Sequence, residues 1–315
     1  MLDQIRNVLR FWDIEAKCLR PEIFIAGSPE RTDYRVVVET VKGALLVVEK
    51  VSPRLLEHKQ RIAQALQFLK AQKLSPITPY LDSSQGLFLV KAEDFFWQVV
   101  PFVVGVELNR PEYIFDDWRG IVAGEFLTAL HFASQGIPFF KSTDSFSLPA
   151  YIDELMGVIR KRRRDVVSQI DAIYSYVQKY LYPVYIDLPT GFCHGDYHPV
   201  NIIWQDKAMA AVIDWEFLGY KPELYDAANM LSCLGIEDPE GLKNGAAVHF
   251  VHTLKGAGVY SDISFQHLLD LVIAVRFAWL SEWLRKKDND MIEMEFDYFH
   301  ILSSSRKEIE TAWGI

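Results

Sequence analysis

Short runs of apolar and β-branched residues fill the first hundred positions. EIFIAG, YRVVVETV and ALLVVEKV, residues 22–27, 34–41 and 44–51, each read as a strand, and Lys42 with Gly43 supplies a hairpin turn between the last two. They follow LDQIRNVLRFWDI, an amphipathic helical pattern at residues 2–14. After the third strand, Ser52 and Pro53 place a cap and a first-turn proline ahead of RLLEHKQRIAQALQFLKAQ. There Leu55, Leu56, Ile62, Leu66 and Leu69 recur at helical spacing, which predicts one long helix. GLFLVKA and DFFWQVV add two more strand-like runs, and PFVVGVEL, with Pro101 and Gly105, reads as an extended junction. From about residue 111 the period becomes mainly helical: residues 116–134, 149–181 and most of the chain beyond 225.

This change of texture predicts two lobes, residues 1–100 and residues 101–315. A chain of 315 residues exceeds one typical core, and with half its residues apolar and 24% charged it has the profile of a soluble globular protein. Net charge −9 and a pI near 5.4 argue against a dedicated nucleic-acid surface, which needs clustered Lys and Arg. The one basic run, residues 161–164, reads as a solvated helix face, and so does the acidic DNDMIEMEFD at 288–297. Three scattered cysteines, Cys18, Cys193 and Cys233, fit a reducing compartment, with Cys193 as inert core. The opening residues lack the apolar core of a signal peptide, and the long apolar stretch LLDLVIAVRFAWLSEWL carries Asp270, Arg276 and Glu282. No membrane span and a cytoplasmic location are expected.

One stretch carries polar side chains inside strand-like runs: FCHGDYHPVNIIWQDKAMAAVIDWEF, residues 192–217. His194, Asp196 and Asn201 stand at the H-x-D-x-x-x-x-N spacing of a kinase catalytic loop. Asp196 would accept the proton of a substrate hydroxyl, and Asn201 would offer its amide oxygen to a magnesium ion. Residues 200–204 and 209–213 read as two short strands around Asp206 and Lys207, a hairpin that returns Asp214 to the same place as a second oxygen ligand. Each residue alone also suits a turn, a cap or a surface carboxylate; the hairpin-delivered second carboxylate favours chemistry.

With these motifs the chain resembles the aminoglycoside phosphotransferase and choline kinase family of small-molecule kinases. HGDYHPVNII matches the family's catalytic loop and VIDWEFLGYKPELYDAAN its metal-binding segment. The resemblance implies an α+β, protein-kinase-like fold: a small antiparallel-sheet N-terminal lobe that binds nucleotide and a mainly helical C-terminal lobe. It implies ATP and Mg²⁺, with metal held by Asn201, Asp214 and Glu216, and with His194 and Asp226 as structural supports of the site. Lys50 is then the strand lysine for the nucleotide phosphates, Glu57 its partner on the following helix, and Val100, Phe102 and Val103 the linker that docks adenine.

The sequence also departs from its relatives. The nucleotide loop AGSPERTDY holds only Gly27, with Ser28 and Thr32 as candidate phosphate contacts. Gly195 replaces the arginine of protein kinases, Asp214 opens D-W-E rather than D-F-G, and eleven residues separate Asp214 from Asp226, too few for an activation loop. A protein substrate is therefore not expected. The acceptor is a small molecule of aminoglycoside, choline, ethanolamine, homoserine or sugar type, with an acidic chain favouring one that bears an amine. The alternative is a non-catalytic nucleotide sensor or scaffold that keeps the fold. His198 reads as a loop-shaping residue, and Trp215, Trp279 and Trp283 as packing residues rather than an amine cage.

Overall fold

The structure, a computed structural model, describes residues 1–25, 34–92, 94–141 and 146–315. Gly43, at φ +82°, makes the left-handed turn that the hairpin needs, and pairs β2 (Tyr34–Thr40) with β3 (Leu45–Val51) so that Val37 faces Val47. Adding β1 (Ala16–Leu19), β4 (Val90–Ala92) and β5 (Phe95–Pro101) gives a five-stranded antiparallel sheet of order β1-β2-β3-β5-β4. Side chains alternate between its faces. Val36, Val38, Leu46, Val48, Trp97 and Val99 pack with Ile5, Val8 and Leu9 of α1 (Leu2–Leu9), forming a small core. The opposite face presents Val37, Val47 and Val51 with a polar row, Arg35, Glu49 and Gln98, which are register partners across three strands.

Helix α2 (Leu56–Ala71) crosses from this sheet to the second lobe, where Ile62, Leu66 and Leu69 join the large core. That core is helical: α3 (Asp117–Ala133), α4 (Leu148–Arg162), α5 (Val167–Tyr180), α6 (Tyr182–Tyr185), α7 (Tyr225–Glu237), α8 (Gly245–Ala257), α9 (Asp262–Gln266), α10 (Leu268–Lys286), α11 (Asn289–Ser304) and α12 (Arg306–Trp313). Two small ladders lie within it, β6 (Thr190–Cys193) with β9 (Gly219–Pro222), and β7 (Ile202–Gln205) with β8 (Ala208–Val212). The fold is the two-lobed α+β arrangement expected, and no described helix is long and apolar enough to cross a membrane. In α10, Asp270 pairs with Arg306 at 2.5 Å, and Arg276 pairs with buried Glu295 of α11. Glu295 is thus the one acidic residue of the 288–297 stretch that is buried.

Several boundaries differ from expectation. The first strand is Ala16–Leu19, not EIFIAG: residues 22–25 are irregular, Phe24 is exposed, and 26–27 fall outside the described residues. Ser52 makes no side-chain cap bond, and Pro53–Leu55 form a 3₁₀ turn before α2 begins. The helical pattern of 149–181 is two helices, broken at residues 163–166, where Arg163 pairs with Asp165 at 2.7 Å.

Candidate active site

The site is built on the β6–β9 ladder, which pairs Cys193 with Gly219 and brings the catalytic loop beside the segment after Asp214. Gly195 has φ +87°, and a Cβ there would fall on the carbonyl oxygen of Phe217, so only glycine fits. An arginine at this position is therefore excluded by backbone packing. Gly195→Ala is expected to cost about 2–4 kcal/mol of stability and to reduce turnover at least about 100-fold, checked by thermal melts and a kinetic assay on the same preparation.

Asp226, in the first turn of α7, accepts from the amides of His194 (2.6 Å) and Gly195 (2.8 Å). Burial lifts its pKa to about 6 against the pull of these amides and of Lys221. Burial likewise pushes the His194 imidazole down to about 4, so the ring is neutral at pH 7. Its Nδ1 accepts from the Asp196 amide at 3.2 Å, which leaves the proton on Nε2 to donate to the Ile213 carbonyl at 2.9 Å. His194 and Asp226 thus tie the loop carrying Asp196 to the residue preceding Asp214.

The Asp196 carboxylate is held from three sides. Asn201 Nδ2 donates to its Oδ2 at 3.1 Å and to its backbone carbonyl at 2.9 Å; Asn229 Nδ2 donates to Oδ1 at 3.4 Å; His198 Nε2 lies 3.6 Å from Oδ1. With its amide nitrogen so engaged, Asn201 has its oxygen left for a cation. The Ile213 amide donates to the Asn201 carbonyl at 2.9 Å, bringing Asn201 and Asp214 together across β7 and β8. Asp214 itself sits at φ +63°, a left-handed conformation that costs a non-glycine residue about 1 kcal/mol or more. Hard oxygen donors from one carboxylate and one amide suit Mg²⁺ held jointly with phosphate oxygens.

Glu216 faces α2. Its carboxylate forms an ion pair with Lys59 of α2 and lies 3.4 Å from His58 Nε2, which also meets the Glu216 carbonyl at 2.9 Å. Burial alone would raise its pKa, but hydrogen bonds from His58 and Lys59 and their charges hold it at about 2. Lys59 and His58, both on α2, thus hold the side chain in a bridge between the lobes. Lys59 is 1% exposed, the most buried lysine of the chain.

Lys50 is not brought to this cluster. It shares a face with Leu46 and Val48, the face covered by α1, and its Nζ lies 3.1 Å from the Phe95 ring centroid. The neighbouring residue Glu49 points the other way and pairs with Arg35 at 2.5 Å and with Gln98. Burial, and then the charges of Glu49 and Glu216, push the Tyr80 hydroxyl well above its ordinary range. Glu57 is exposed on α2 and does not meet Lys50. In the linker, Val100 pairs with Val47, and the Phe102 amide extends the ladder to Leu45 at 3.0 Å rather than standing free. Among the described residues no backbone group pairs with Val103. The loop with Gly27, Ser28 and Thr32 lies outside the described residues.

Lys59, His58, Arg35 and Asn229 were missed by the sequence reading. One signal was available: Lys59 falls on the same helical stripe as Ile62, Leu66 and Leu69, where a charge requires a buried partner. On the side of Asp196 where His198 stands, the His198 ring is 5.7 Å from Trp279, which lies 6.1 Å from Trp283, whose Nε1 donates to Glu295 at 3.0 Å. Trp215 is packing, buried against His194 and Phe126.

The sequence profile of the phosphotransferase enzyme family, APH, matches residues 26–251. A homoserine kinase of Rhodospirillum rubrum is 26% identical over 317 aligned positions, covering 96% of this chain and 94% of that protein. An aminoglycoside phosphotransferase of Alicyclobacillus acidocaldarius shares the fold with TM-score 0.66 at 15% identity, over 96% of this chain and 95% of that one. A choline/ethanolamine kinase family protein from Mesorhizobium loti does so with TM-score 0.58 at 17% identity, over 95% and 93%. A profile match over more than half the sequence, on a kinase-like fold, settles the kinship: the chain belongs to the APH phosphotransferase enzyme family, small-molecule kinases that phosphorylate hydroxyl groups.

Proposed function

We propose that this protein uses Mg-ATP to phosphorylate the hydroxyl of a small, amine-bearing acceptor, with Asp196 as the catalytic base. The observation that carries the reading is the arrangement around Asp196: a carboxylate oriented by Asn201, Asn229 and His198, beside an Asn201 oxygen and Asp214 joined through the Ile213 amide. Bound Mg²⁺ supplies positive charge against the phosphate oxygens as the phosphoryl group transfers. Asn201 and Asp214 would hold it, while Asp196 orients the acceptor hydroxyl and takes its proton. The nucleotide would lie between residues 1–100 and 101–315, with adenine against the linker at Val103 and the phosphates beneath the polar face of the sheet.

On this reading the small lobe presents Lys59 and Arg35, not Lys50, to the phosphate end of the cleft. Lys59→Met is expected to lower kcat/KM for ATP by about 10–100-fold, whereas Lys50→Met stays within about threefold. Because Lys59→Met alone strands the Glu216 carboxylate, the double change Lys59→Met with Glu216→Gln is measured beside it; melts report the restored fold, and the kinetic loss should persist.

Two features support an amine-bearing acceptor: the Trp279 ring beside His198, which itself faces the Asp196 carboxylate, and the similarity to a homoserine kinase. Acceptor-dependent ADP release, measured with homoserine, ethanolamine, choline and an aminoglycoside, tests the proposal. Release with at least one of them, lost in Asp196→Asn, is expected. Tight Mg-ATP binding with no transfer to any acceptor would instead favour a nucleotide sensor.

A further inference from the structure

Behind the Glu216 bridge, a cavity of about 160 Å³ opens between α2, residues 139–141 and β9. Its lining holds four basic residues, His58, Arg61, Lys141 and Lys221, beside Tyr220 and no carboxylate, in a chain whose net charge is −9. Neither Asp196 nor Asn201 nor Asp214 lines it.

Lys221 is the decisive residue. It is 6% exposed, yet its ammonium donates to one acceptor only among the described residues, the Phe217 carbonyl at 2.6 Å. The Phe146 and Tyr225 rings stand 5.9 and 5.6 Å from Nζ, and no described carboxylate forms an ion pair with it. Asp226 acts on it from a distance, but both its oxygens are engaged by the His194 and Gly195 amides. An ammonium has three donors, and a buried cation without a counter-ion is costly. Burial accordingly lowers the Lys221 pKa.

The opposite wall is fixed as well. Arg61 donates through Nη2 to the Phe139 carbonyl at 3.1 Å and stacks 4.7 Å from the Phe140 ring centroid, which leaves further guanidinium donors unassigned. Phe139 is held at φ +70°, a conformation that a bulky residue keeps only where its surroundings impose it.

We propose that this cavity is a second binding site, for a small oxyanion such as a phosphate or carboxylate group, bridged by Lys221 of β9 and Arg61 of α2. The anion would satisfy the spare donors of both residues and neutralise the cluster. It would also fasten α2 to the strand that follows Glu216. His58 and Lys59 already grip Glu216 from the same helix, so occupancy would stiffen the contact between the lobes. The site is independent of which acceptor the enzyme phosphorylates.

The test is calorimetric titration of the full chain with inorganic phosphate and, separately, acetate, at constant ionic strength in chloride, with Mg-AMP-PNP present to occupy the nucleotide cleft. Phosphate or acetate should bind at one site, and Arg61→Gln and Lys221→Met should each weaken that binding at least tenfold. The stronger of the two anions identifies the group recognised. Arg61 lies on the exposed side of α2, so its variant keeps the fold; melts verify both variants. Hydrogen exchange should slow in 56–71 and 216–222 on anion addition. Failure of both anions to bind, binding unchanged in the two variants, or protection confined to other segments would each overturn the proposal.

Discussion

Asp196→Asn is expected to leave Mg-ATP affinity within about threefold and to lower phosphoryl transfer at least about 10³-fold. The substitution keeps the shape of the side chain but one oxygen only, so either Asn201 or Asn229 loses its side-chain acceptor, while Asn201 keeps the backbone carbonyl of residue 196. What is lost is the basic oxygen that takes the hydroxyl proton. In the proposed function nucleotide binding depends on other residues, Asn201 and Asp214 with the linker, so the two effects are expected to separate. Single-turnover assays beside calorimetry check this, and turnover above about a tenth of the unmodified enzyme would remove Asp196 from the catalytic role.

Asp214→Gly should have the opposite profile, with nucleotide binding failing first. Removing the charged metal ligand is expected to weaken Mg-dependent nucleotide affinity at least about 100-fold. The same change relieves the left-handed backbone at φ +63°, so the melting temperature should hold or rise, by the equivalent of about 1 kcal/mol. A gain in stability paired with loss of binding is the signature of a residue strained for function. Calorimetry with and without Mg²⁺, together with melts, measures both halves. Intact Mg-dependent binding in the variant would relocate the metal.

The parts of the site that lie together in the chain were legible in the sequence. His194, Asp196 and Asn201 fall within eight residues, and the hairpin that returns Asp214 has its turn at Asp206 and Lys207, where Lys207 adopts φ +51°. What the sequence hid depends on parity and distance. Leu45, Leu46, Val47 and Val48 are all apolar because the strand is covered on both faces, so nothing in the run reveals that Glu49 faces the cleft and Lys50 the α1 side. A lysine at the end of such a strand looks the same either way. The Lys59 to Glu216 bridge joins residues 157 positions apart, so the stripe of α2 can flag Lys59 but only the fold shows its partner. The first strand was misplaced because apolar EIFI outweighed AKCL, although AKCL has an edge position beside β2, with Cys18 opposite Glu39 and Lys17 paired to it at 2.5 Å.

In the proposed function these residues serve one arrangement, in which Mg-ATP would join the sheet, the linker and the catalytic loop into a single closed site. Closure would then be favoured, because contacts to the phosphates from both lobes would exist together only in the closed form. Hydrogen exchange with and without Mg-ATP measures this directly. Slowed exchange is expected together in β2 and β3, in residues 101–104 and in residues 194–216. Protection confined to residues beyond 190, with the sheet and linker unchanged, would contradict a nucleotide bridging the lobes.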